Sequence, residues 1–384
     1  MRKVKIFMMA MMVLINLICF TGCWNYREID KMAIVAGVAV DRGEDGQYLI
    51  TPEIVDISGG KETKTASKTI SMEGETLFDA VRNEISLSGK RLFWSHTKVV
   101  ILSKEIASEN LESVIDWCIR NAERREDVNI LVSEAATAKE IFERQGICEE
   151  IKSFIMDEIL KNQVSLSKAP VIDALHYAIE AKTEGASTIL PAINMKQTNS
   201  EMSPQIFGTA IIKNGKLVGF LNGEETQTLL FIRNEVKAGV LVEGTQKKSI
   251  NTHVSLEIFE SRTKVTSVVD SKQIEINLNV DTTVAIDEID GKENYIDEAG
   301  RTKLERLAEN TLKERIESLV KKVQQEYDAD IFRFAAKLQE DNTKAWNLVS
   351  SNWDQIFKDL KINVQTKVHI KNSAIISKIV QEGD

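Results

Sequence analysis

The sequence predicts a mixed α/β chain of the α+β class, elongated, with two to three domains in which mostly antiparallel sheets pack against helices. Three observations predict it. β-prone apolar runs alternate with amphipathic helical stretches through the first third; Asn214-Gly215 stands between two apolar runs; and after Asp297 the apolar spacing lengthens to four residues.

Taken in order, residues Met1 to Lys5 carry three positive charges, and Ile6 to Phe20 form an apolar run broken by Asn16. As a helix that run rises about 22 Å against a hydrocarbon core of about 30 Å, which suits a signal segment better than a permanent span. Met32 to Val40, the turn Asp41 to Gln47 and Tyr48 to Val55 read as a hairpin. Gly59 to Ser67 reads as a polar loop and Thr69 to Met72 as a short strand. Thr76 then caps a helix whose buried face is Leu77, Phe78, Val81 and Ile85. Leu92 to Leu102 is strand-like, Asn110 to Arg120 a helix with Leu111, Val114, Ile115 and Cys118 inward, and Val128 to Val132 a strand. Glu149 to Asn162 and Val171 to Lys182 read as helices, the second with Pro170 at its first turn, and Thr188 to Ile193 as extended.

The polar stretch Gln197 to Pro204 reads as a linker. Beyond it, Phe207 to Ile212 and Leu217 to Phe220 flank Asn214-Gly215, a type I′ hairpin signal because both central positions need positive φ. Val254 to Phe259, Lys264 to Val269 and Ile274 to Val280 continue as an antiparallel sheet with one buried face. Leu304, Ala308, Leu312, Ile316 and Val320 mark a long amphipathic helix from Asp297 to about Glu326. A second helical region covers Ile331 to Phe357, and Ile362 to Ile370 alternates as a last strand. The expected division is a leader at 1–22, an α/β domain at 23–135, a smaller helical section at 136–200 and a C-terminal α/β domain at 201–384.

Charge excludes some functions. The formal net charge is -9, and removal of the leader with Arg2, Lys3 and Lys5 takes it to -12. Nucleic-acid binding needs clustered cations, and so does a polybasic membrane patch. The leader ends Phe20-Thr21-Gly22-Cys23, small residues leading into a cysteine, which resembles the processing signal of bacterial lipoproteins. Diacylglycerol on the Cys23 thiol and an N-acyl chain are therefore expected, since two or three acyl chains hold a soluble domain stably at about 0.8 kcal/mol per buried CH₂.

Chemistry beyond that anchor is sparse. His96, His176, His253 and His369 stand at no metal-ligand spacing, and no nucleophile motif or phosphate loop occurs. His96 reads as a packed or edge-strand residue, Glu224-Glu225 and Asp287-Glu288-Ile289-Asp290 as solvated acidic surface. Trp346 and Trp353, seven apart, read as core-packed residues on one helical face. Cys118 and Cys148 imply no disulfide framework, and a buried thiol is expected at Cys118. No catalytic residue, cofactor or metal is expected, so the protein is read as no enzyme.

Gly22-Cys23-Trp24-Asn25-Tyr26-Arg27-Glu28-Ile29 with Val35-Ala36-Gly37-Val38-Ala39-Val40-Asp41 resembles the start of mature spore germinant-receptor C subunits, the Ger(x)C lipoproteins. Leu92-Phe93-Trp94-Ser95-His96-Thr97-Lys98, Gly208-Thr209-Ala210-Ile211-Ile212-Lys213-Asn214-Gly215 and Asn352-Trp353-Asp354-Gln355-Ile356-Phe357 agree in order. So does Asp330-Ile331-Phe332, although a glycine of the pattern shortly after it is replaced here by Arg333 or Ala335. The resemblance implies three α/β-type domains without a catalytic site, outside the inner spore membrane beside integral-membrane A and B subunits, and needed for nutrient-triggered germination. Whether such a chain touches the nutrient is left open. The alternative is a lipid-anchored solute-binding protein of a transporter, which requires a cleft between two similar lobes.

Overall fold

The structure is a computed structural model that describes residues 2–19, 31–58, 64–109, 111–120, 127–143, 151–198, 201–243, 253–270, 273–290 and 293–373. Helix α1 (Arg2–Cys19) takes in most of the N-terminal apolar run, and among the described residues no helix is long and apolar enough to cross a membrane. The expected hairpin forms as β1 (Met32–Arg42) and β2 (Tyr48–Ser58), antiparallel. Next come β3 (Lys64–Thr69), β4 (Met72–Gly74), α2 (Leu77–Asn83), α3 (Ile85–Ser88) and β5 (Arg91–Phe93). Strand β6 (Val99–Leu102), helices α4 (Lys104–Glu109) and α5 (Leu111–Arg120) and strand β7 (Asn129–Ser133) follow. Helices α6 (Glu140–Glu143), α7 (Lys152–Lys161), α8 (Gln163–Leu166) and α9 (Ala174–Glu180) lead to β8 (Thr188–Thr198), β9 (Glu201–Lys213), β10 (Lys216–Leu221) and α10 (Gly223–Ile232). The last part holds β11 (Gly239–Glu243), β12 (His253–Asp270), β13 (Gln273–Asp290), α11 (Glu298–Lys322), α12 (Phe334–Asp341), α13 (Thr343–Val349), α14 (Trp353–Lys358) and β14 (Lys361–Ser373).

Two sheets result. The larger has ten strands, with β10-β9-β8-β7-β6-β1-β2-β3 in line and β4 and β5 attached to β2 and β1. Its central strands β1, β6 and β7 are parallel neighbours buried on both faces, which is why they read as continuous apolar runs. Alternate residues enter different cores. Val38, Val40, Val100 and Leu102 face a core closed by α4, α5 and α9, whereas Ala39, Val99 and Ile101 face Met156 and Leu160 of α7. The smaller sheet, β11-β12-β13-β14, is backed by α11, whose Leu304, Ala308, Leu312, Ile316 and Val320 are all buried as their spacing predicts.

Several expectations are corrected. Residues 64–67, read as loop, begin β3, and Leu92 to Leu102 splits into β5 and β6 around a turn. The helix expected from Val171 starts only after Asp173, whose carboxylate caps it; Pro170 lies outside. The linker read at Gln197 to Pro204 is instead the adjoining ends of β8 and β9, paired from Thr188↔Ile212 to Thr198↔Glu201. The ten-stranded sheet therefore crosses the divisions placed at 135/136 and 200/201. Residues 254–269 form one strand, and β14 joins β13 in parallel, so the smaller sheet is not wholly antiparallel. The region Ile331 to Phe357 breaks into α12, α13 and α14. The Asn214-Gly215 turn does form, with φ of 51° and 72° at the two positions between β9 and β10.

Candidate functional site

The carboxylates that a catalytic reading would need are committed to holding the fold. Asp41 is buried and accepts from the backbone N–H of Ala138 at 2.6 Å and of Lys139 at 2.9 Å; burial outweighs these bonds and pushes its carboxyl above the ordinary range. Glu53 accepts from the N–H groups of Lys152 and Ser153 at the start of α7, at 2.9 and 2.8 Å. Glu180, at the end of α9, sits between Arg233 and Arg333. Burial opposes its ionisation, but the two guanidiniums prevail and hold its carboxyl below the ordinary range. Arg333 also reaches Glu235 at 2.9 Å, so this network ties α9 to the residues after α10 and the start of α12.

Asp330 is a further buried acid. Its Oδ1 accepts from the N–H of Phe332 and Phe334 at 3.2 and 3.1 Å, and its Oδ2 from Ala335 N–H at 2.7 Å and Trp353 Nε1–H at 3.2 Å. Burial raises its carboxyl to about 6 even against these four donors. These four carboxylates each close a backbone end or an ion pair, whereas Glu84 is buried and burial pushes its carboxyl above the ordinary range.

The residues singled out in the sequence scatter. His96 is exposed in the turn after β5, its ring 5.9 Å from Phe93, and so is neither packed nor on a strand. The other three histidines are exposed at separate places, and among the described residues no group of His, Cys, Asp and Glu could hold a metal. Glu225 belongs to a capping box with Asn222 at the start of α10, and Asp287, Glu288 and Asp290 are exposed near the end of β13. Trp346 and Trp353 are core residues, yet they lie on α13 and α14 and not on one face; their rings meet edge to face at 5.5 Å. Gly185, at φ of 75°, lies against both, and a Cβ there would come within 2.6 Å of Trp346. Cys118 is buried on α5 as expected; Cys148 and the lipidation candidate Cys23 lie outside the described residues.

One surface departs from ordinary packing. The sequence places Phe78 and Ile85 on the buried face of their helix, but the helix breaks at Glu84, which is itself buried. Leu77, Ala80 and Val81 turn inward, while Phe78, Ile85 and Leu87 are left 53%, 39% and 65% exposed. Phe78 divides two clefts. The larger, of about 590 Å³, runs between α2 and α5 over Tyr48, Leu77 and Trp117, with Asp116 and Arg120 on its rim. The smaller, of about 90 Å³, is lined by Val81, Ile85, Leu92 and Trp94 with Arg82 and Arg91. Arg82 lies 4.8 Å over the Phe78 ring, and Trp94 meets Trp117 edge to face at 5.6 Å beneath. This arrangement offers apolar contact edged by Glu75, Asp116 and Arg120 in the larger cleft and by Arg82 and Arg91 in the smaller.

Comparison with known proteins follows the same lines. Residues 25–195 match the family described as spore germination protein N-terminal domain, and residues 207–374 match the one described as spore germination B3/GerAC like, C-terminal. The chain is similar to spore germination protein B3 of Bacillus subtilis (strain 168), 24% identical over 364 residues that cover 92% of this chain and 94% of that one. It is similar to spore germination protein YndF of the same strain, 27% identical with 96% and 97% covered. Spore germination protein KC, also of that strain, is 22% identical with 96% of each chain covered. Among solved structures, the crystal structure of the GerBC protein shares the fold with a TM-score of 0.56, covering 88% of this chain and 97% of that one at 22% identity.

Proposed function

The chain belongs to the Ger(x)C family of spore germination proteins, the C subunits of germinant receptors, and on that premise we propose that it is a lipid-anchored, non-enzymatic receptor subunit. In this reading acyl chains on Cys23 hold it on the extracytoplasmic face of the inner spore membrane. Its folded part assembles there with the integral-membrane A and B subunits, and the assembly is needed for nutrient-triggered germination. The observation that carries the reading is the match of two successive family regions along nearly the whole chain, with the Cys23 motif just ahead of the first. Carboxylates occupied in backbone capping and ion pairing, and four exposed, scattered histidines, agree with a binding and assembly role. A solute-binding protein finds less support, because a ten-stranded and a four-stranded sheet do not make two similar lobes.

The test is the intact mass and membrane partition of the native protein beside Cys23→Ala, followed by identification of what co-purifies from membranes. A mature chain that begins at acylated Cys23 and brings down two integral-membrane proteins supports the proposal. An unlipidated chain with no membrane partner overturns it.

A further inference from the structure

The chain leading into β1 and the exposed corner made by α2 and α3 meet at one end of the larger sheet. Strand β1 runs parallel to β5, with Met32 opposite Arg91, so the residues before Met32 arrive from the side on which α3 leads into β5. Seven residues, 24–30, stand between Cys23 and Lys31, and fully extended they span at most about 25 Å. From Leu77 to Ser88, α2 and α3 would rise only about 18 Å even as one unbroken helix, so that stretch can reach Phe78.

Size and composition say what covers the corner. Phe78, Ile85 and Leu87 stay exposed together, which marks a contact surface. Phe78 and Ile85 share the smaller cleft with Val81, Leu92 and Trp94; at about 90 Å³ it has room for a side chain and not for a separate ligand, whose pockets begin at about 300 Å³. Residues 24–30 carry Trp24, Tyr26 and Ile29, three large apolar side chains that an anchor at Cys23 leaves without a role. The other stretches outside the described residues are less suited. Residues 59–63 and 121–126 hold no apolar side chain larger than alanine. Residues 144–150 join α6 and α7, which pack on the opposite face of the larger sheet, and 244–252 and 374–384 adjoin strands of the smaller one.

We propose that residues 24–30 fold back over the α2–α3 corner, with Trp24, Tyr26 and Ile29 seated on Phe78, Ile85 and Leu87 and in the smaller cleft. The contact is apolar and needs no acyl chain. Where Cys23 is acylated, docking brings the anchor beside this corner and sets which end of the fold faces the membrane; that orientation alone rests on Cys23 as the anchor.

Two measurements test it. In the first, the full chain carries the photo-reactive benzoylphenylalanine in place of Leu87 and is irradiated in membranes and in mild detergent. A cross-link to residues 24–30 within one chain is expected in both. A link to lipid, to another protein or to a second copy in its place, or no link to that stretch, overturns the proposal. The second compares amide hydrogen exchange of the native chain with that of the chain carrying Trp24→Ser and Tyr26→Ser. Exchange in α2 and α3 is expected to rise about tenfold, because the cover over their exposed side chains is lost, while β6 and β7 within the sheet stay as they were. Unchanged exchange in α2 and α3, or an equal rise throughout the chain, overturns the proposal. Should the native chain prove unlipidated, the cross-link to residues 24–30 still upholds the docking while the anchor reading fails. Should it prove lipidated with no such link, the anchor stands and the docking falls.

Discussion

Replacing Asp330 by asparagine tests whether one buried carboxylate organises the region from α12 to α14. Asparagine keeps an oxygen for Phe332 and Phe334 but turns an amide N–H₂ toward the donors of Ala335 and Trp353, which now approach the second oxygen at 2.7 and 3.2 Å. Two buried donors lose their acceptor, at about 1–3 kcal/mol each, so Asp330→Asn should destabilise the mature chain by on the order of 3 kcal/mol near neutral pH. The pH dependence has a definite sign. Because burial raises the folded-state value from 3.8 to about 6, the folded chain binds more protons than the unfolded chain between those limits. The linked stabilisation is fully present below about 3.8 and is lost as pH rises through about 6. Asparagine does not titrate. At about 1.4 kcal/mol per unit, the gap between wild type and variant should therefore widen by on the order of 2 kcal/mol from pH 7.5 to 4.5. Urea denaturation followed by tryptophan fluorescence at the two pH values measures both quantities, since Trp353 donates to Asp330 directly. A variant as stable as wild type at pH 7.5, or a gap that stays constant with pH, refutes the reasoning.

Arg333 stands in the left-handed region at φ of 64° and pairs with Glu180 and Glu235. Both Arg333→Ala and Arg333→Gly lose these pairs, but glycine relieves about 1 kcal/mol of backbone strain, so equilibrium denaturation should find Arg333→Gly the more stable of the two by that amount. Gly185→Ala should cost about 2 kcal/mol or more, because it combines an unfavourable φ with a methyl group pressed on Trp346; thermal unfolding measures the cost, and an unchanged midpoint would show that the tryptophan pair has room to yield.

The features that local pattern determines are legible in the sequence. The four-residue spacing from Leu304 to Val320 can bury a single stripe only as a helix, and Asn214-Gly215 supplies the two positive φ values a tight hairpin needs. The inward set of α5, including Cys118, follows from the same periodicity. The family blocks are likewise a matter of residues in order, so the linear chain itself carries its family membership.

What the sequence leaves undecided depends on neighbours distant in the chain. The polar ends of β8 and β9 lack an apolar alternation because much of their length reaches solvent, so nothing local distinguishes them from a linker; their mutual backbone pairing makes them strands. The parallel register of β14 on β13 exists only after α11 to α14 have carried the chain back to the sheet. Trp346 and Trp353 meet because the helix between them breaks, and Asp330 adds the Trp353 donor to its three local backbone donors only when α14 closes on the start of α12. Phe78 and Ile85 have the composition of core residues, which hides the exposed corner they form. Hydrophobic periodicity specifies which side of an element is apolar, but whether anything packs against that side is a property of the assembled fold.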